Sequence, residues 1–441
     1  MLKKIPVTEL KLGMYIEKII GSWLDSPFWQ KHLLLERLED LQRIQTSPIR
    51  EVWVDVSKSR AVGAPVQGVV AGQHGDGDED GAEEDAGRAC QDATAAPAGA
   101  AVAPAPARPI ARAPRAPLRS IKPTSMASEL KHASALIKKS REAVCTMFTE
   151  ARMGKAVTVE DAMPLVEEIS ESVMRNAGAM IGLARLKTAD DYTYMHSVAV
   201  CALMIALGRQ LELDDEQIRQ GGLAGLLHDI GKMAVPLPIL NKPGKLTDEE
   251  FNAVKQHPSK GHQMLLETPG MPDAALDVCL HHHEKIDGSG YPEGLKGDQI
   301  SLFARMGAIC DVYDAITSNR PYKQGWCPAE SLRRMAEWSK GHFDERMFAA
   351  FIKCIGIYPV GTLVRLKSER LGVVVELPTG KSLIKPKVRI FYSAKAASYV
   401  RPELVDLASP AVTDSIVARE DAVTWGLKDV DRYWSGAIEF A

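Results

Sequence analysis

The chain has 441 residues, 45% of them hydrophobic and 25% charged, with a formal net charge of −3. That length exceeds one ordinary domain and suits two or three, and the near-neutral balance offers no basic excess for a nucleic-acid polymer. No window approaches the roughly 18 uninterrupted apolar residues of a membrane-spanning helix, Glu9, Lys11 and Glu17 interrupt the start as a secretory signal, and seven cysteines without CxxC spacing fit a cytoplasmic protein with no disulfide framework and no membrane partner.

Residues 1–57 read as a small α+β accessory domain. Val7 to Ile16 mixes β-formers around Gly13, the spacing of Leu33, Leu34, Leu38 and Leu41 predicts a helix over 30–44, and Val52 to Val56 predicts a short strand. A unit of this size only just closes a core, so it is expected to lean on another surface. The composition then changes. His74 to Gly87 holds seven acidic residues and no basic ones, and Ala93 to Pro117 is mostly Ala and Pro with Arg108, Arg112 and Arg115 interleaved. Without large apolar side chains to offset ordering entropy, 58–124 reads as a disordered linker. From 125 to 356 the pattern is helical throughout. Met163, Val166, Ile169, Val173 and Met180 form one stripe, suited to packing within the domain or to a dimer seam. Residues 357–441 return to strand signals, with β-rich runs at 361–366, 371–376 and 388–392. They predict a three-stranded carboxy-terminal appendage and a tail without a catalytic constellation.

Seven of the eleven histidines fall between 196 and 283, where uniform scatter would put about two. His196 opens an apolar helix. His228 and Asp229 close the helix of 223–227 and run into Ile230-Gly231-Lys232. His257 is expected to end a helix begun at a Thr247/Glu250 capping box. His282 and His283 end a helix started near Pro272, and Asp311 lies inside a helix over 301–317 with Asp314 one turn on. A lone helical histidine is more often an ordinary core or surface residue than a ligand. Five imidazoles and two carboxylates on helices of one module point instead to a metal site in a bundle core. Seven such groups exceed what one ion needs. Two ions bridged by one carboxylate would use them all, and Asp229, beside His228, could reach both.

In order along the chain stand His196; HDIGK (228–232); KPGKLT (242–247); HPSKG (257–261); HHEKIDGSGYP (282–292); DVYDAITSNRPYK (311–323); and GHFD (341–344). This ordered set, spanning about residues 185–355, resembles the HD-GYP family, a subset of the HD phosphohydrolases that hydrolyse cyclic di-GMP. Residues 3–57 resemble the small domain of unknown function that often precedes that module.

The resemblance implies a mainly α, helical HD-type metal-binding bundle and a binuclear site. One ion would take His196, His228, Asp229 and Asp311, and the other Asp229, His257, His282 and His283. Imidazole-rich ligation with a bridging carboxylate suits iron, manganese or zinc better than magnesium, and the family points to two divalent ions, iron or manganese. Such a pair lowers the pKa of a water held between them, for in-line attack on phosphorus. Lys232 is expected to bring a cation to the phosphate, giving catalytic roles to Asp229 and Lys232. Gly290, Tyr291, Pro292, Asp314, Arg320 and Lys323 are expected on the substrate side: the Gly288-Ser289-Gly290 loop lets backbone approach a ligand, and Arg320 and Lys323 clamp phosphates.

Glu284 is expected to orient a ligand histidine as an acceptor, whereas His281 is expected to pack or face solvent and His262 to be structural. Some family members carry a glutamate one turn before the first histidine and hold a third metal. Tyr192 stands there, so two metals are expected. The reading is thus a cyclic di-GMP phosphodiesterase yielding pGpG and, on further hydrolysis, GMP. Its alternatives are an HD hydrolase of another cyclic dinucleotide and a non-catalytic cyclic di-GMP receptor. A homodimer or a regulatory protein partner through the amino-terminal domain is the accompanying expectation.

Overall fold

The computed structural model describes residues 2–20, 33–35, 41, 44–45, 51–59, 121–186, 192–242, 244–318, 325–377 and 383–435. The linker expected over 58–124 therefore lies almost wholly outside the described residues. The chain forms two compact units, 1–78 and 79–441. No helix among the described residues is long and apolar enough to cross a membrane.

The first unit is an antiparallel sheet of strands β1 (Leu2–Pro6), β2 (Tyr15–Ile20), β3 (Leu33–Leu34) and β4 (Glu51–Asp55), in the order β1-β4-β2-β3. Alternation puts Val52 and Val54 into a core with Ile5, Val7, Leu10, Ile16, Leu35 and Ile44. The helix expected over 30–44 is corrected at its start. Leu33 and Leu34 pair with Ile16 and Tyr15 of β2, and only Leu41, Ile44 and Gln45 are described as helical. Leucine spacing alone does not weigh an open strand edge against a helix.

In the second unit α1 (Met126–Arg152) and α2 (Val159–Arg185) form a long hairpin. Ser125 and Thr158 cap them through their side-chain oxygens, and buried Glu129 joins them by accepting from Ser172 and Arg175. The apolar stripe of α2 faces the common core. Then come α3 (Tyr192–Gln210), α4 (Asp215–Leu227), a 3-10 turn at Ile230–Ala234, α5 (Leu237–Leu240), α6 (Asp248–Val254), α7 (His257–Leu266), α8 (Asp273–His281), α9 (Leu302–Thr317), α10 (Pro328–Trp338) and α11 (Glu345–Ile355). Asp214/Gln217 and Thr247/Glu250 capping boxes start α4 and α6.

Two glycines set the spacing of the elements that carry the site. A Cβ on Gly225 of α4 would lie 3.0 Å from the Cys201 backbone of α3, and one on Gly231 would lie 1.9 Å from the His257 carbonyl oxygen. Both positions exclude any side chain.

The chain ends in a five-stranded antiparallel sheet rather than the three strands expected. Its strands are β5 (Leu363–Leu366), β6 (Arg370–Glu376), β7 (Lys387–Ser393), β8 (Ser398–Asp406) and β9 (Ile416–Arg419), in the order β8-β7-β6-β5-β9, and a short helix α12 (Arg432–Ser435) follows. The two missed strands are the sheet edges, where exposure weakens the apolar signal: most of β8 is exposed. Along β6 the faces divide by the period of two. Leu371, Val373 and Val375 join the helical core, while Val374 packs with Val364, Val388 and Ile390 in a second core.

Candidate metal centre

Six elements deliver the clustered side chains. His196 lies in the second turn of α3, His228 caps the carboxy end of α4, and Asp229 follows in the bend that starts the 3-10 turn. His282 caps α8, with His283 next, and Asp311 lies within α9. His257 corrects its expected place: α6 ends at Val254 and His257 opens α7. Pro258 marks that break, since proline suits a helix's first turn and cannot serve inside one. All these ligand candidates except His283 are less than a tenth exposed.

They converge in two groups that share Asp229. On one side His196 Nε2 lies 2.9 Å from Asp311 Oδ1 and 3.3 Å from His228 Nε2, and His228 Nε2 is 3.3 Å from Asp229 Oδ2. On the other side His257 Nε2 lies 3.2 Å from Asp229 Oδ1 and 3.3 Å from His282 Nε2. His283 approaches Asp311 Oδ2 through Nδ1 at 3.9 Å. The triplets His196–His228–Asp311, His228–Asp229–His282 and His257–His282–His283 each bring three donor atoms within 4.8 Å of one another. The seven expected ligands are thus brought together.

The tautomers follow from what lies behind each ring. His228 Nδ1 faces the Gly225 carbonyl at 2.8 Å, His257 Nδ1 that of Val254 at 2.8 Å, and His282 Nδ1 that of Val278 at 2.9 Å. A carbonyl only accepts, so Nδ1 carries a proton and Nε2 points to the centre. His196 Nδ1 likewise donates to Asp314 Oδ2 at 2.6 Å. The Nε2 atoms therefore face one another and carboxylate oxygens at about 3 Å, and Asp229 Oδ1 is buried without a hydrogen-bond donor. Protons do not resolve this around His282 and His283. Burial and the His228 and His257 rings bring the His282 pKa down to about 3, and burial with His282 holds His283 well below the usual range. For Asp229 burial favours the neutral acid, but Lys232 and His228 outweigh it and keep the carboxylate charged. A buried set that combines a charged Asp229 with neutral His282 and His283 fits divalent cations.

Lys232 Nζ lies 2.6 Å from Asp229 Oδ2. The Tyr291 ring stacks on His283, with centroids 4.7 Å apart, and Lys255 Nζ lies 4.6 Å from the Tyr291 centroid. Gly288 has a positive φ of 84°. Gly290 serves its own loop: a Cβ there would lie 2.4–2.6 Å from the backbone of His283, Glu284 and Lys285. Pro292 is exposed, after a cis bond from Tyr291. Arg320 and Lys323 lie outside the described residues.

Two expectations are corrected. Asp314 does not face a substrate. It is buried, with Oδ2 on His196 and Oδ1 accepting from Ser318, because residues three apart on α9 share a face and Asp311 already fills the position nearer the centre. Glu284 orients no histidine. It accepts the backbone N–H groups of Glu293, Gly294 and Leu295 at 2.7, 3.0 and 3.1 Å, because the chain turns back over it after Pro292. His281, expected to pack or face solvent, pairs with Asp277 at 2.9 Å. The histidine-supporting role of Asp314 had a sequence signal in its i, i+3 spacing from Asp311. The Lys255–Tyr291 contact had none.

A helical bundle with a buried histidine–aspartate core, in which an adjacent His-Asp pair sits at the centre, defines an HD-domain protein. The HD domain family matches residues 169–347, and a domain of unknown function, DUF3391, matches residues 2–162. A cyclic di-GMP phosphodiesterase of Pseudomonas aeruginosa is 51% identical over 437 residues, covering 99% of this chain and 96% of that protein. A cyclic di-GMP phosphodiesterase response regulator of Xanthomonas campestris is 38% identical, over 39% of this chain and 47% of its own. A 3′3′-cGAMP-specific phosphodiesterase of Vibrio cholerae is 34% identical, over 45% of this chain and 42% of its own. The chain belongs to the HD-GYP family, and its buried histidine–aspartate cluster suits divalent-metal binding.

Proposed function

We propose that the protein is a metal-dependent phosphodiesterase that hydrolyses cyclic di-GMP to linear pGpG. The observation that carries this is the Asp229 carboxylate, whose two oxygens face two separate imidazole groups. In our reading His196, His228, Asp229 and Asp311 hold one cation and Asp229, His257, His282 and His283 the other. When bound, such a pair lowers the pKa of water and neutralises phosphoryl charge. The chain's own residues orient the reaction. Nδ1–H bonds to carbonyls and to Asp314 fix the ring angles. Lys232 brings a compact cation beside Asp229, and the Tyr291 ring forms a wall over His283 on which a substrate ring or sugar rests. Arg320 and Lys323 are assigned the phosphate clamp. Iron or manganese suits the mixed imidazole and carboxylate set. Six described cysteines are free thiols, which fits a reducing cytoplasm.

The test uses full-length protein purified without oxygen and loaded with iron(II) or manganese(II). Cyclic di-GMP and 3′3′-cGAMP are supplied separately and the products identified by chromatography. Conversion of cyclic di-GMP to pGpG is expected, with Asp229→Asn losing on the order of 10²- to 10³-fold or more in turnover and most of its bound metal. A strong preference for 3′3′-cGAMP would replace the substrate. Tight binding of cyclic di-GMP without hydrolysis would make the protein a receptor.

A further inference from the structure

We infer that Arg152, the last residue of α1, is a positioning residue for Lys232. The helix that carries it contributes no candidate ligand and lies before the HD match at 169–347. Yet its guanidinium reaches some 80 residues along the chain. Nη1 donates to the Val235 carbonyl at 3.1 Å and Nη2 to the Lys232 carbonyl at 3.5 Å, with Met233 Sδ 3.7 Å away. Those two carbonyls span the last turn of the 3-10 segment, which the Val235 N–H closes onto Lys232 O at 3.1 Å.

A 3-10 turn of five residues has weak hydrogen-bond geometry and little stability of its own. A planar guanidinium grasping two of its carbonyls fixes their spacing, because the donor fork is rigid. Among the described residues Arg152 makes no ion pair, so its donors go to this turn. Lys232 extends from the same turn to Asp229 Oδ2 at 2.6 Å.

The grip is reinforced on both sides. Phe148, one helical turn before Arg152, meets Tyr194 edge-on at 6.0 Å, two residues before His196. In the loop after α1, the Val157 carbonyl accepts from Thr268 Oγ1 at 2.8 Å, just past α7. The end of α1 is therefore fastened to the elements that present His196, Lys232 and His257. The catalytic turn is completed by a helix outside the matched HD segment.

This rests on the phosphodiesterase reading for what Lys232 does, and on geometry alone for what Arg152 holds. The test uses the full-length, manganese-loaded protein. Arg152→Met is expected to lower kcat by about 10- to 100-fold, the scale of a small misplacement of a reacting group, with KM and bound metal unchanged. Amide hydrogen exchange should rise in the peptide spanning 230–236 and stay unchanged in 363–392. In a Lys232→Met background, adding Arg152→Met should leave kcat where it is, since residues acting through one another do not add. Arg152→Lys keeps the charge without the fork and should fall between the two; it also decides the matter if the methionine variant does not fold. Native kcat in both variants, losses that multiply in the double variant, or loss of metal would overturn the inference. If the native chain hydrolyses no cyclic dinucleotide, the functional reading falls, while exchange at 230–236 still decides whether Arg152 holds the turn.

Discussion

Asp314 accepts from His196 Nδ1 at 2.6 Å and from Ser318, so neither carboxylate oxygen is free for a phosphate or a base. Its charge acts through the imidazole: it fixes the tautomer and aims Nε2 at the centre. Asp314→Asn keeps the volume but removes the charge and can turn an amide N–H toward His196. Loss of such a supporting partner typically reduces metal affinity or activity by about 10- to 100-fold. We expect a chelator competition titration to show weakened binding of one ion while the other holds, because His257, His282 and His283 do not touch Asp314. Equal weakening of both ions, or none, would refute this division. The convergence of the seven candidate ligands was legible because each is a side chain of metal-binding type in one helical module. Apart from Asp314, the groups behind the rings were not, because an acceptor can come from any backbone carbonyl, and for His228, His257 and His282 it does.

At the scale of elements, the turn from His282 to Leu295 is organised by Glu284. Its buried carboxylate gathers three backbone N–H groups. This closes the loop so that Gly290 packs on the His283–Lys285 backbone and Tyr291 lies on His283. Glu284→Gln leaves one carbonyl oxygen for three donors and sets an NH2 group against an N–H. A buried donor left unsatisfied costs about 1–3 kcal/mol. Hydrogen exchange of the peptide over 288–296 should rise by a corresponding factor of roughly 5 to 150, and KM should rise more than kcat falls, since the metal ligands keep their places. Unchanged exchange would show that the loop stands without the carboxylate. Element types in the bundle were readable from apolar period and capping boxes, as at Thr247. Element ends were less so. Pro258 marks the break that lets His257 open α7, but the close approach of Gly231 to the His257 carbonyl is a contact across 26 residues that local pattern does not record.

At the scale of the molecule, the carboxy-terminal sheet was legible as β-rich but not as part of the helical body. Strand signals report alternation, and alternation does not say what covers each face. Leu363, Leu371, Val373, Val375, Phe391, Tyr392, Leu427 and Trp434 share one buried core with α2 and the helices around it. Gly182 of α2 leaves room for the Trp434 ring, which a Cβ would meet at 2.9 Å, and Arg185 pairs with Asp431 at 3.1 Å. Fully burying one large apolar side chain contributes about 1.5–3 kcal/mol, so the face of α2 and its neighbours that these eight cover would be laid bare to water without them. Ending the chain at residue 356 should therefore unfold or aggregate the metal-binding bundle even though every candidate ligand remains. By contrast, the second unit encloses its own core, and a fragment over 121–441 should fold and bind metal without the first. Thermal unfolding and metal content of the two truncations decide this. A soluble 1–356 protein with native metal content would show that the bundle stands without the sheet, and a 121–441 fragment that cannot fold would make the amino-terminal unit part of the catalytic body.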